Sequence, residues 1–173
     1  MPERVPAAAL RRRAVLGAGA ALGLPLLGGC GGAGRDAGTA AARAELAVLI
    51  GAIGAEQDLV ALYEAVRGAH ASLAARIDPA LAHHREHLAV LKRHYRPGSG
   101  DRADEAPLPA PRAQRAPDGQ ARALAALRQA EERAAAARAA EAGRAGPGLA
   151  QLLASIGACE AGHAAALEGT AGA

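Results

Sequence analysis

Beyond an apolar N-terminal stretch, hydrophobic residues in this chain recur three and four positions apart, the period of a helix buried on one side. Four stretches keep that period, over residues 39–67, 78–95, 118–142 and 148–167. Their inward rows read Leu46, Leu49, Ile53, Glu56, Val60, Tyr63; then Leu81, His84, Leu88, Leu91, Tyr95; then Leu124, Leu127, Glu131, Ala134, Arg138; and Leu149, Leu153, Ile156, Glu160, His163, Leu167. Asp78-Pro79 reads as the start of the second helix, an N-cap followed by proline at the first helical position. Residues 68–77 fit either a short helix or an irregular corner. The break Gly146-Pro147-Gly148 separates the last two helices. Residues 96–120 hold Pro97, Pro107, Pro109, Pro111 and Pro117 with no apolar period, an irregular connection longer than loops within a compact domain usually are.

Composition supports an all-α fold and narrows its uses. Alanine is the commonest residue; Ala, Leu, Arg and Glu are strong helix formers, and there is no Trp or Phe. That excludes a disulfide-rich scaffold, an all-β sandwich and a base-stacking nucleic-acid module. The formal net charge of +3 comes from the N-terminus, where Arg4, Arg11, Arg12 and Arg13 face Glu3 alone. Setting residues 1–29 aside leaves a chain with no net charge, so nucleic acid is not an expected partner.

The N-terminus has the layout of an export signal. Arg11-Arg12-Arg13 precedes an apolar stretch broken by Pro25 and several glycines, too short for a stable membrane-spanning helix. Arg12-Arg13-Ala14-Val15-Leu16 resembles a twin-arginine export motif. Leu27-Gly28-Gly29-Cys30 resembles a bacterial lipobox, in which Cys30 receives the lipid. The expected organisation is a signal peptide over residues 1–29, a lipid-anchored tether over 30–38, and a four-helix domain over 39–173 with 96–120 as its link. The protein would then be exported and held by lipid on the outer face of the cytoplasmic membrane. Cys159 would be the remaining thiol, expected as a small buried hydrophobe.

Each inward row carries a carboxylate or an imidazole near its middle. Burying one unpaired costs several kcal/mol, so groups converging at one level must satisfy one another or share a cation. Glu160-Ala161-Gly162-His163 places a carboxylate and an imidazole one turn apart on one helical face, able to reach one metal. Glu56, His84, His87, Glu131, Glu160 and His163 form the candidate metal set. His83 is expected to face solvent, Tyr63 to be an amphipathic core end, and Arg122, Arg128, Arg133 and Arg138 to form solvated pairs with Glu residues, although Arg138 falls on the inward row.

Four helices joined short, long, short form two hairpins with one long Pro-rich crossover, the connectivity of ferritin-like folds. The signal and lipobox, the Glu56…Tyr63 helix, His84-Arg85-Glu86-His87-Leu88 and the run from Leu152 to His163 resemble the ferritin-like-domain lipoproteins of high-GC bacteria, a family of unknown function. In the wider superfamily the metal pattern is a Glu on helices 1 and 3 and Glu-x-x-His on helices 2 and 4. Here the second helix reads His84-x-x-His87, which removes a bridging carboxylate. The resemblance implies a ferritin-like four-helix bundle, and the imidazole share of the candidate set suits a transition metal, iron, zinc, copper or manganese. The alternative is a non-catalytic helical interaction or structural module of the envelope with a vestigial, metal-free site. The protein partner is left open, a homodimer among the options.

Overall fold

The computed structural model describes residues 33–95 and 108–168; the signal, the lipobox and residues 96–107 lie outside them. The described residues hold four α-helices, α1 (Ala33–Ala69), α2 (Ala74–His94), α3 (Gln120–Ala142) and α4 (Pro147–Glu168), and no strand. A 3-10 turn, Ala71–Leu73, leads into α2. α1 packs on α2 and α3 on α4, and α1 also meets α3.

Two helix starts differ from the sequence pattern. α2 begins at Ala74, with Pro79 inside it and not at its first position. The proline removes one backbone bond, but the extra turn buries Leu73 and Ile77. Asp78, freed from capping, pairs with Arg67 at 2.7 Å. α1 begins at Ala33, so helix takes in much of the segment read as a tether. By length and composition residues 38–69 would also suit a membrane span; here they contribute core residues to the bundle.

The core is two apolar clusters. One joins Leu49, Ala52, Ile53, Leu91, Leu149, Leu153 and Ile156. The other joins Tyr63, Val66, Leu73, Ile77, Leu81, Ala123 and Leu127. Between them in every helix lies a buried polar residue: Glu56, His84, Glu131 and Glu160. Residues 108–119 are irregular, and Leu108 packs on the first cluster, Ala116 on the second. Along the way Arg112 pairs with Asp58 at 2.7 Å.

Helix approach depends on one glycine more than the others. A Cβ on Gly157 would stand 2.8 Å from Arg138 Cβ and 3.4 Å from the carbonyl of Ala135, whereas one on Gly51 would meet nothing within 4 Å. Gly157→Ala is therefore expected to destabilise the domain by about 1–3 kcal/mol through overpacking. Gly51→Ala, in the interior of α1, is expected to stabilise it by about 0.5–1 kcal/mol. Urea unfolding followed by circular dichroism measures both, and equal effects would remove Gly157 as the contact point.

Candidate metal centre

The polar layer arises because each helix spends one inward position on a charged or ionisable group while its neighbours one turn away stay apolar. His84, with no exposed surface, is its hinge. Its Nδ1 donates to Glu56 Oε2 at 3.0 Å and its Nε2 donates to Glu131 Oε1 at 2.8 Å. An imidazole that donates from both nitrogens is an imidazolium. α1, α2 and α3 are thus tied by one cation between two carboxylates. The Tyr63 hydroxyl also donates to Glu131 Oε1. His87 Nδ1 stands 3.4 Å from Glu56 Oε1, and His163 Nδ1 stands 3.3 Å from Glu131 Oε1.

The structure therefore brings Glu56, His84, His87, Glu131 and His163 into mutual contact. Glu160 is buried beside them and is linked through its electrostatics to Glu56, Glu131 and His84. Glu131, and not the adjacent Glu132, faces inward; Glu132 is exposed and pairs with Arg128.

Despite these contacts, the layer is short of partners. Glu56 Oε1, Glu131 Oε2, Glu160 Oε2, His87 Nδ1 and His163 Nδ1 are all buried without a hydrogen bond. Buried polar atoms are nearly always paired, so five without a well-aligned hydrogen bond mark this cluster as rich in oxygen and nitrogen donors. Two trios, Glu56, His84, His87 and His84, Glu131, His163, each bring one ligand atom per residue within 4.8 Å of the others. These buried Glu/His groups could hold a metal ion.

Protonation follows from the same contacts. Burial works against charge on Glu131, yet the polar contacts of His163 and His84, the His84 charge and the Tyr63 hydroxyl hold its carboxyl down at about 2. Glu56 is likewise held low, with His84 and His87 overcoming its burial. Burial lowers His84, but its bonds to Glu131 and Glu56 and their charges raise it to about 9. Glu160 is the exception. Burial and the charge of Glu56, opposed by Arg138, push it up to about 8, so it is protonated at neutral pH. Burial and Glu131 raise the Tyr63 phenol, which stays a donor.

Four residues have surroundings that differ from their sequence expectations. Tyr63 is a polar partner inside the layer and not merely a core end; its place two turns after Glu56 on the same face was the available signal. Arg138, expected in solvated pairs, is 1% exposed. Its Nε stands 3.1 Å from Glu141 Oε2, and its stem passes over Gly157, which leaves it room. His83 is exposed, as expected, but its Nδ1 lies 3.0 Å from His163 Nε2. Cys159 Sγ is 3.5 Å from the same nitrogen, on a residue expected only as a small hydrophobe. Burial and the charges of Glu131, Glu160, Glu56 and Glu86 raise the Cys159 thiol, so the free side chain is a protonated thiol and a poor nucleophile.

No protein-family model, curated protein or solved structure matches this chain.

The protonation pattern sets a pH dependence for the metal-free protein. His84 holds its proton more tightly folded, at about 9 against 6.5, so its contribution is complete below 6.5 and lost as pH rises through 9. Glu160, at about 8 against 4.5, also favours folding while protonated; that contribution is complete below 4.5 and lost as pH rises through 8. Glu131 has the opposite sign, its contribution present above 4.5 and lost as pH falls through 2. Chelator-treated protein is expected to lose thermal stability from mildly acidic to alkaline pH. Glu160→Gln should flatten the lower part of that fall and leave the His84 part. An unchanged slope in the variant would mean that Glu160 is not a buried acid.

Proposed function

We propose that this protein is an exported, lipid-anchored ferritin-like domain that binds a transition metal in its bundle core. The observation that carries the reading is the buried Glu/His layer itself, whose two trios converge their donor atoms and whose Glu131 Oε2 and Glu160 Oε2 make no hydrogen bond. An ion held by Glu56, Glu131, Glu160 and the imidazoles of His84, His87 and His163 would satisfy them together. Mixed imidazole and carboxylate donors suit iron, zinc, copper or manganese better than magnesium or calcium. A bound ion would supply Lewis acidity or, for a redox metal, electron transfer. In the chain itself, His84 must give up one of its two carboxylate bonds before it can act as a ligand, and Glu160 must release its proton. Metal affinity therefore rises with pH across the range in which these groups titrate. An imidazole stands where a bridging carboxylate would join two ions, which favours one ion over a pair.

The ferritin-like reading draws on chain direction. The first apolar cluster takes the α1 residues before Glu56, the early residues of α4 and the late residue Leu91 of α2, while the second takes the α1 residues after Glu56 and the early residues of α2 and α3. Thus α1 and α4 run one way and α2 and α3 the other, which supports the long crossover of the ferritin-like reading. The contacts of Leu108 and Ala116 with opposite clusters agree with this.

A second reading, a metal-free structural or interaction module, draws on His84 itself. One imidazolium between two carboxylates is a balanced arrangement without any ion. Protein purified without added metal or affinity histidines separates the readings by elemental mass spectrometry. Near-stoichiometric iron, zinc, copper or manganese that is lost in Glu56→Ala/Glu160→Ala supports the centre. A wild type that stays empty after anaerobic loading with each metal makes the layer structural.

The anchor has its own test. On phase separation in detergent, protein made in its exporting host is expected in the detergent phase, and Cys30→Ser in the aqueous phase. Equal partitioning would remove the lipid.

A further inference from the structure

At the edge of the buried layer, His83 on α2 meets Cys159 and His163 on α4. Cys159 and His163 are one turn apart on the same helical face, and His83 reaches them from the neighbouring helix. Cys159 Sγ lies 3.5 Å from His163 Nε2 and 3.9 Å from His83 Nδ1, and the two ring nitrogens are 3.0 Å apart. The imidazole planes are nearly parallel, 11° apart, with ring centroids 5.2 Å from each other. All three ligand atoms fall within 4.8 Å of one another.

We propose that His83, Cys159 and His163 form a second metal site, open to solvent, for a borderline or soft ion, zinc(II) or copper(I). Zinc bonds of about 2.0–2.1 Å to nitrogen and about 2.3 Å to sulfur, at tetrahedral angles, set the nitrogens about 3.3 Å apart and each about 3.6 Å from the sulfur. The observed triangle is within a few tenths of an ångström of that on every edge. One thiolate with two imidazoles is a donor set that hard cations do not favour. His83 is exposed and the other two are half-buried, so solvent can fill the fourth position, as in zinc sites that exchange a ligand.

His163 is also oriented from within. With Nδ1 directed at the Glu131 carboxylate, its Nε2 faces Cys159 and His83 as a lone pair. A carboxylate behind a ligating imidazole fixes both its tautomer and its direction. Cys159 gives up its thiol proton on binding, so the ion displaces that proton and the one shared between the two imidazoles. His83 and Cys159 belong to this site alone, and the shared His163 offers it Nε2 while its Nδ1 faces the buried layer, so the outer site can fill whether or not the buried centre holds an ion.

The test uses the full chain carrying Cys30→Ser, so that Cys159 is the only thiol, with cobalt(II) as a spectroscopic probe and zinc(II) as competitor. One equivalent of cobalt should give a thiolate-to-cobalt charge-transfer band in the near ultraviolet, displaced by zinc. Cys159→Ser should abolish the band. Loss of a mere supporting partner weakens metal sites roughly tenfold or more, so His83→Ala should weaken cobalt binding by at least that factor. Circular dichroism checks that both variants fold. Cobalt bound without the band, or His83→Ala binding as tightly as its parent, would overturn the site. The same titration on Glu56→Ala/Glu160→Ala keeps the two centres apart. A band that persists there, with no metal lost relative to the parent, leaves this site standing and the buried one not. Metal lost there, with no band in the parent, gives the reverse.

Discussion

The bundle depends on one hydrogen-bonded cation. His84 has no surface of its own, and each of its ring nitrogens ends on a carboxylate from a different helix. If it were a hydrocarbon, Glu56 and Glu131 would be two buried anions facing each other across the core. If it stood alone, it would be a buried cation with nothing to donate to. Breaking such a buried set by removing one partner costs several kcal/mol, far more than the loss of one apolar contact. Either apolar cluster could tolerate exchange among Leu, Ile and Val; the layer between them tolerates no such exchange.

Alanine-rich helices make that layer possible. Small side chains bring the axes close, and close axes let the short reach of a glutamate span from one helix to the next. Gly157 extends the principle to a long side chain. By having no side chain it admits the stem of Arg138 into the interior, where its charge opposes the effects that keep Glu160 protonated. A surface glycine elsewhere on these helices has no such partner.

Much of this was legible in the sequence. Period alone gives four helices and the inward rows, and it places Glu56, His84, Glu131 and Glu160 in them, because a polar residue on an apolar stripe has nowhere else to point. What escaped is whatever depends on which helices are neighbours. Cys159 lies off the apolar row of α4, and only the adjacency of α2 shows that it meets His83 and His163. Arg138 looks solvent-bound until the glycine opposite it is known. Asp78-Pro79 has the local chemistry of a helix start, yet burial of Leu73 and Ile77 moved the start to Ala74. In each case a local preference worth about a kilocalorie met a tertiary contact worth more.

The mid-height position of the polar layer also bears on how the chain assembles. Each hairpin is local in sequence and can close early, but neither is electrically complete alone. The first holds Glu56 with His84 and lacks the second carboxylate; the other holds Glu131 and Glu160 with no His84. Sliding one hairpin along the other by a single helical turn would set Leu127 or Ala134 of α3 against the ring and strand a charge in hydrocarbon. The alanine surfaces, nearly featureless along their length, would accept many such offsets. The imidazole accepts one, and so it acts as the vernier that sets the final alignment of two otherwise smooth rods.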